Sequence, residues 1–196
     1  MFRPHPISFL QLGLFWTIVA AGAVALIRVV ERSRGAPDSA KKSGLSRAGI
    51  ALQAVGFAAT GLGPIRVVLP WSATSSIICT GLIALLGGAA IAIFVASTRA
   101  MGRNWSVVAR MRSDHQLVRS GPFAVVRHPI YLALFLYFLS FAIAFGHFGQ
   151  LLFALPVYCA GTFIRIREEE KLLRAQFGED HERYLREVPA FIPFVG

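Results

Sequence analysis

The sequence predicts an all-α fold: a polytopic transmembrane helix bundle of about five spans, ending in an amphipathic helix on the cytosolic side. Three observations predict it. Of the 196 residues, 55% are hydrophobic and only 15% charged, whereas a soluble domain carries roughly a quarter charged residues. The mean hydropathy is +0.59, and the apolar residues fall into several separate runs, which excludes both a disordered chain and a soluble domain on a single anchor. Basic residues, finally, gather in alternate connections between those runs. Because spans of about 20 residues consume roughly half of the chain, any chemistry has to sit within the bundle or at its aqueous edge.

The first run, Ser8 to Val30, is too long for a signal-peptide core and predicts the first span. Glu31 to Arg47, with Gly35, Pro37, Asp38 and Gly44, has loop composition. A second run, Ala48 to Leu69, is interrupted by Gly61, Gly63 and Pro64, so its helix is expected to end early or kink. The third, Ser75 to Ser97, is rich in Gly and Ala, which permit close helix approach. After the polar stretch Thr98 to His128 come two more runs, Pro129 to Phe145 and Gln150 to Ile164, joined by a short turn as a helical hairpin. The last run is short for a span but can continue through Arg165 into the charged tail.

Charge fixes the expected orientation. Arg28 to Arg47 hold six basic and two acidic residues, and Arg99 to Arg127 hold six and one, whereas the opposite connections hold only Arg66 and His147. The positive-inside rule then places the N-terminus outside and the C-terminus in the cytosol. The formal charge of +10 is accounted for by these loops and their contact with anionic headgroups of membrane lipids, so no nucleic-acid partner is expected. Cys79 and Cys159 lie in apolar runs and read as small core residues. His5 and His147 read as interfacial, and no ligand spacing points to a metal.

The densest set of unusual residues is His115-Gln-Leu-Val-Arg-Ser-Gly-Pro-Phe-Ala-Val-Val-Arg-His-Pro-Ile-Tyr131. Gly121-Pro122 marks a turn, and Pro129 suits the first helical position of the fourth run, with His128 near its N-cap. A helix start flanked by Arg127 suits an anion such as a carboxylate. In the tail, Arg165 and Glu169 are spaced i,i+4 on one face. Ile166, Glu170, Leu173, Phe177, His181, Tyr184 and Val188 follow helical spacing, which puts a carboxylate and an imidazole on an otherwise apolar stripe. The plainer alternatives are an ordinary basic loop with a capped helix, and a solvated acidic face paired with Arg165, Arg167, Lys171 and Arg174.

The segments His115-x-Leu117-Val118-x-x-Gly121-x-Phe123, Arg127-His-Pro-Ile-Tyr131, Arg165-x-x-x-Glu169-Glu170-x-x-Leu173 and Phe177-Gly178 with Tyr184 resemble the isoprenylcysteine carboxyl methyltransferase family. They run in the same order and spacing over roughly Trp105 to Pro193. The resemblance implies an integral membrane methyltransferase that uses S-adenosylmethionine on the cytosolic side and takes a lipid-like or prenylated acceptor from the bilayer. It also implies that His115, Leu117, Val118, Gly121, Phe123, His128, Tyr131 and Glu169 form the cofactor pocket. Arg165 would hold the acceptor's carboxylate, with Arg127 and Glu170 supporting the site. Phe123, Ala133 and His181 depart from the family's usual Tyr, Gly and Tyr, which bears chiefly on the acceptor.

The expected organisation is thus three N-terminal spans with a basic loop over 1–97, and over 98–196 a catalytic region of cofactor loop, helical hairpin and C-terminal helix. Two other readings compete. One is a phospholipid or other small-lipid N-methyltransferase with the same cofactor site, in which Glu170 or His115 takes the proton. The other is a nonenzymatic membrane protein such as a small transporter, against which stands the near absence of ionisable residues within the runs, Arg28 and Arg66 excepted.

Overall fold

The computed structural model describes residues 4–33, 41–42, 44–102, 105, 110–111 and 116–191. Six α-helices form along them: α1 (Phe9–Ser33), α2 (Gly44–Gly61), α3 (Thr74–Met101), α4 (Pro129–Phe145), α5 (Leu151–Phe177) and α6 (Glu179–Glu187). A 3-10 turn, Gly121–Ala124, precedes α4. Lys41–Lys42 (β1) pairs antiparallel with Arg110–Met111 (β2), Lys41 opposite Met111. The two basic connections expected on one side therefore meet.

The start of α1 follows from Ser8-x-x-Gln11. The Gln11 N–H donates to Ser8 Oγ at 3.3 Å and the Ser8 N–H to Gln11 Oε1 at 2.7 Å, a reciprocal cap that satisfies two otherwise orphaned donors. Ser76 Oγ, in the first turn of α3, donates to Ser8 Oγ at 2.6 Å and pins the two helix starts together.

Two helices, Phe9–Arg32 and Thr74–Met101, are long and apolar enough to cross a membrane, and only 17% of each apolar window is buried. A core helix of a soluble domain hides its apolar residues; here Trp16 and Ile27 of α1 and Ile77 and Leu85 of α3 are exposed. This is the outer surface of a membrane protein, with lipid as its solvent. The 17-residue α4 is about 26 Å long at 1.5 Å per residue.

The interior is aromatic. Phe15 lies against Tyr137, Phe141 and Phe145, and Phe57 against Phe138 and Tyr158, which stack on each other at 4.6 Å. The most extensive helix contact is between α2 and α5, and glycine makes it possible. A Cβ on Gly161 would sit 2.6 Å from the Gly49 carbonyl oxygen, and one on Gly56 2.9 Å from the Tyr158 Cβ. Close approach was expected of the third run. In α3 only Gly87, against Ile18, lies within 3 Å of a neighbour by the same measure, while Gly81 and Gly88 face open space.

At one end of the bundle the N-terminal segment, the α2–α3 connection and the α4–α5 turn are laced together. The His5 N–H donates to the Gly146 carbonyl at 2.8 Å, the Ile7 N–H to Arg66 at 2.9 Å, and the Val68 and Leu69 N–H groups to Ile7. His147, expected at an interface, is fully buried, with Nδ1 2.7 Å from the Thr60 carbonyl and Nε2 3.2 Å from that of Pro64. It closes the end of α2, which stops at Gly61 although the apolar run continues to Leu69. His5 is exposed.

Two further readings change. Cys159, expected in the core, is exposed, because the inward face of α5 is set by Ala154, Tyr158, Gly161, Thr162 and Arg165, a stripe that leaves residue 159 outside. Nor is the tail stripe one helix: α5 runs on through Arg165 to Phe177, and the chain turns at Gly178, with φ +50°, before α6 begins. That left-handed φ favours glycine, and the turn redirects α6 so that His181 and Tyr184 are buried.

Candidate active site

At the end of the bundle opposite His147, the start of α4 meets the charged half of α5. Glu169 and Glu170 are consecutive, so their side chains leave the helix about 100° apart and reach different partners. Glu169 Oε2 accepts the Tyr131 hydroxyl at 2.9 Å and lies 3.8 Å from His128 Nδ1. Glu170 Oε1 accepts Arg127 Nε and Nη2 at 3.2 and 3.1 Å and lies 3.1 Å from His128 Nε2. Burial alone would raise the Glu170 carboxyl, but the His128 hydrogen bond and charge, with the Arg127 guanidinium, outweigh it and hold the pKa at about 2.

Arg127 also donates through Nη1 to the Leu185 carbonyl at 3.1 Å and to that of Val188. The backbone N–H groups of Arg127 and His128 donate to the Pro189 and Ala190 carbonyls at 2.9 and 3.1 Å. The α4 start was expected to offer its N–H groups to an anion. The N–H of the N-cap His128 is instead taken by the tail and Pro129 has none, and the carboxylates at this helix end are the chain's own Glu169 and Glu170, held through the Tyr131, His128 and Arg127 side chains.

The segment ahead of α4 is fixed through aromatic contacts. Tyr184 donates its hydroxyl to the Phe123 carbonyl at 2.6 Å; burial pushes its phenol up to about 12, so it stays a donor. Arg119 lies over the Tyr184 ring at 5.4 Å. His181 is buried, neither ring nitrogen finds a hydrogen-bond partner among the described residues, and burial depresses its pKa against the opposing pull of Glu170.

Part of this cluster borders a cavity of about 340 Å³. Of the residues singled out from the sequence, Phe123, Arg127, His128, Tyr131, Arg165 and Glu169 line it. Glu170 stands behind, holding Arg127 and His128. Leu117, Val118 and Gly121 are not in its wall, and His115 lies outside the described residues. The polar groups gather at one end, where the Arg165 guanidinium lies 4.9 Å from the Tyr131 ring centroid, a cation–π distance. The remaining wall is apolar: Leu26 from α1, Ile50, Ala54 and Phe57 from α2, Phe94 and Met101 from α3, Trp105 beyond it, and Leu134 from α4.

Sequence reasoning missed Gln53, whose Oε1 accepts from Arg165 Nη1 at 2.8 Å. The signal was there: a lone amide in an apolar run, flanked by Gly49 and Gly56 on the same helix face.

The Glu170 geometry sets a pH dependence. A carboxyl whose folded pKa of about 2 lies below its ordinary 4.5 contributes stability that is complete above about pH 4.5 and is lost as the pH falls toward 2. Glu170→Gln is expected to lower the melting temperature in detergent by several degrees at pH 7. The gap to the parent protein should close between about pH 4.5 and 2, and a gap that stays constant through that window contradicts this electrostatic account.

Comparison with known proteins agrees with the geometry. The sequence model of the isoprenylcysteine carboxyl methyltransferase (ICMT) family matches residues 77–175, a segment that includes Arg127, His128, Tyr131, Arg165, Glu169 and Glu170. A protein-S-isoprenylcysteine O-methyltransferase of Schizosaccharomyces pombe is 37% identical over 90 residues, 45% of this chain and 38% of that protein. A methanethiol S-methyltransferase of Crocosphaera subtropica is 42% identical over 71 residues, 36% of this chain and 27% of that protein. The chain thus aligns with well under half the length of either relative, but the family match spans half of the chain and contains both halves of the carboxylate cluster: the chain belongs to the isoprenylcysteine carboxyl methyltransferase family.

Proposed function

We propose that this protein is an integral membrane methyltransferase that uses S-adenosylmethionine to methylate a lipid-like acceptor, with a carboxylate oxygen as the receiving atom. The observation that carries this reading is one cavity, polar where Arg165, Tyr131, His128 and Glu169 converge and apolar along its α1, α2 and α4 wall. An amphiphile with an anionic head matches that division.

The residues fit the cofactor chemically. Its methionyl part is zwitterionic and its sulfur cationic, and the polar end offers a carboxylate, an imidazole and aromatic faces within a few ångströms of one another. When bound, S-adenosylmethionine supplies a methyl group on a positively charged sulfur. Phe123, His128, Tyr131 and Glu169 would hold it, with Leu117, Val118, Gly121 and His115 as further candidates on the segment leading to α4. Glu170 and Arg127 keep His128 and the tail in place. Arg165 would receive the acceptor's head, and the apolar walls would exclude water, so that positioning supplies most of the rate gain.

A carboxylate is already a nucleophile and needs no base. A lipid amine has to lose a proton first, and Glu170, held at about 2 and engaged by Arg127 and His128, is far too weak a base for that step near neutral pH. This argues against Glu170 as the base of an N-methylation; the other candidate, His115, lies outside the described residues.

We further propose five spans, α1 to α5, with the N-terminus outside and α6 cytosolic. In support, segments assigned to one side gather at one end of the bundle: His5, Arg66 and His147 at one, β1, β2 and the carboxylate cluster at the other.

Calorimetric titration with S-adenosylhomocysteine should give saturable binding, weakened about tenfold or more in Glu169→Ala by loss of a charged hydrogen-bonding group. No saturable binding by the parent protein contradicts the enzymatic reading. In a screen of labelled-methyl transfer to prenylcysteine analogues, fatty acids, alkanethiols and aminophospholipids, carboxylates should be labelled; labelling of amines alone contradicts the assigned acceptor.

For topology, Ser72→Cys and Glu187→Cys, in a background lacking Cys79 and Cys159, should label from opposite sides of sealed vesicles. Labelling from the same side contradicts five spans.

A further inference from the structure

Gln53 belongs to α2, outside the segment that matches the family, and is buried in the cavity wall. The polarity of its amide is dictated by its neighbours. A guanidinium can only donate, so Gln53 turns Oε1 to Arg165 Nη1, 2.8 Å away. Its Nε2 then donates to Thr162 Oγ1 at 2.8 Å, and that hydroxyl sends its own hydrogen to the Tyr158 carbonyl at 3.0 Å. The relay has one consistent direction, and it anchors the guanidinium to the α5 backbone about two turns earlier.

Packing makes the reach possible. Gly49 stands one turn before Gln53 and Gly161 one turn before Arg165. A Cβ on Gly49 would come within 2.6 Å of Arg165 Cγ, and one on Gly161 within 2.9 Å of the Gln53 backbone nitrogen. Without these glycines α2 and α5 could not bring the amide and the guanidinium together.

We infer that Gln53 is the positioning residue for Arg165 and a determinant of specificity for anionic acceptors. It orients the guanidinium through a neutral oxygen and so adds no negative charge at the acceptor end. Arg127, by contrast, is oriented by the Glu170 carboxylate, an arrangement suited to structure rather than to receiving an anion. The inference rests on the proposed reading of the cavity as the acceptor site, and it assigns to α2 a part in choosing the acceptor.

The test compares the parent protein with Gln53→Glu, which adds a charge facing Arg165, and Gln53→Met, which keeps the volume and removes the orienting bond. Each is titrated with S-farnesylcysteine, with its neutral methyl ester and with S-adenosylhomocysteine. Gln53→Glu should weaken binding of the carboxylate by at least about tenfold, because like charges brought together in a buried site repel strongly. Gln53→Met should weaken it by a smaller factor. Affinities for the methyl ester and for S-adenosylhomocysteine should stay within about threefold, a change of well under one kcal/mol. A merely structural role would weaken all three ligands together, and that outcome overturns the inference, as does unchanged carboxylate binding in both variants. If the parent protein binds S-adenosylhomocysteine but no carboxylate, the inference fails while the cofactor reading stands. If Gln53→Glu discriminates carboxylate from ester but no variant binds S-adenosylhomocysteine, the anion site stands and the methyltransferase reading fails.

Discussion

Two adjacent carboxylates hold this end of the molecule together. Because consecutive helical side chains diverge by about 100°, Glu169 and Glu170 grip the start of α4 from different directions: Glu169 takes the Tyr131 hydroxyl, and Glu170 takes Arg127 and His128. Arg127 passes the constraint on to the Leu185 and Val188 carbonyls, so α4, α5 and the tail beyond α6 are fixed in one register. A half-buried ionic cluster of this kind gives geometric definition more than raw stability. Its value here is that the groups left facing the cavity have no freedom to drift.

The cavity is also a product of packing some distance from the charges. Glycine lets α2 lie directly against α5, which places Gln53 beside Arg165 and sets Ile50, Ala54 and Phe57 along the apolar wall. The polar end is built chiefly by residues within the family match, joined by Gln53, and α1 and α2, which lie before it, supply part of the apolar wall.

What was legible in the sequence was whatever depends on neighbours along the chain. The i,i+4 spacing of Arg165 and Glu169, the proline at the first position of α4 and the charge bias of the connections all follow from local periodicity. That Tyr131 and Glu169 belong together was implied by the family resemblance and not by these local patterns; the structure joins them by a 2.9 Å hydrogen bond. Contacts across the chain were not legible. Gln53 and Arg165 are separated by 112 positions, and an isolated amide in an apolar run carries no mark of its partner. The burial of His147 depends on carbonyls of Thr60 and Pro64, and the outward position of Cys159 depends on which face of α5 meets α2. The helix start reads as an anion site from its dipole alone; that the chain supplies its own anions there emerges only once α5 and the tail are in place. Gly178 hides a change of direction inside a spacing pattern that looks continuous.

The central claim is that Tyr131 and Glu169 act as one unit on a sulfonium nucleotide. It is tested most directly by a double-mutant cycle, measuring S-adenosylhomocysteine affinity for Tyr131→Phe, Glu169→Gln and the double variant. Groups that act through a shared hydrogen bond on a shared ligand are expected to be non-additive, with a coupling of about 0.5–3 kcal/mol. Strictly additive losses, or no loss in either single variant, would contradict the account.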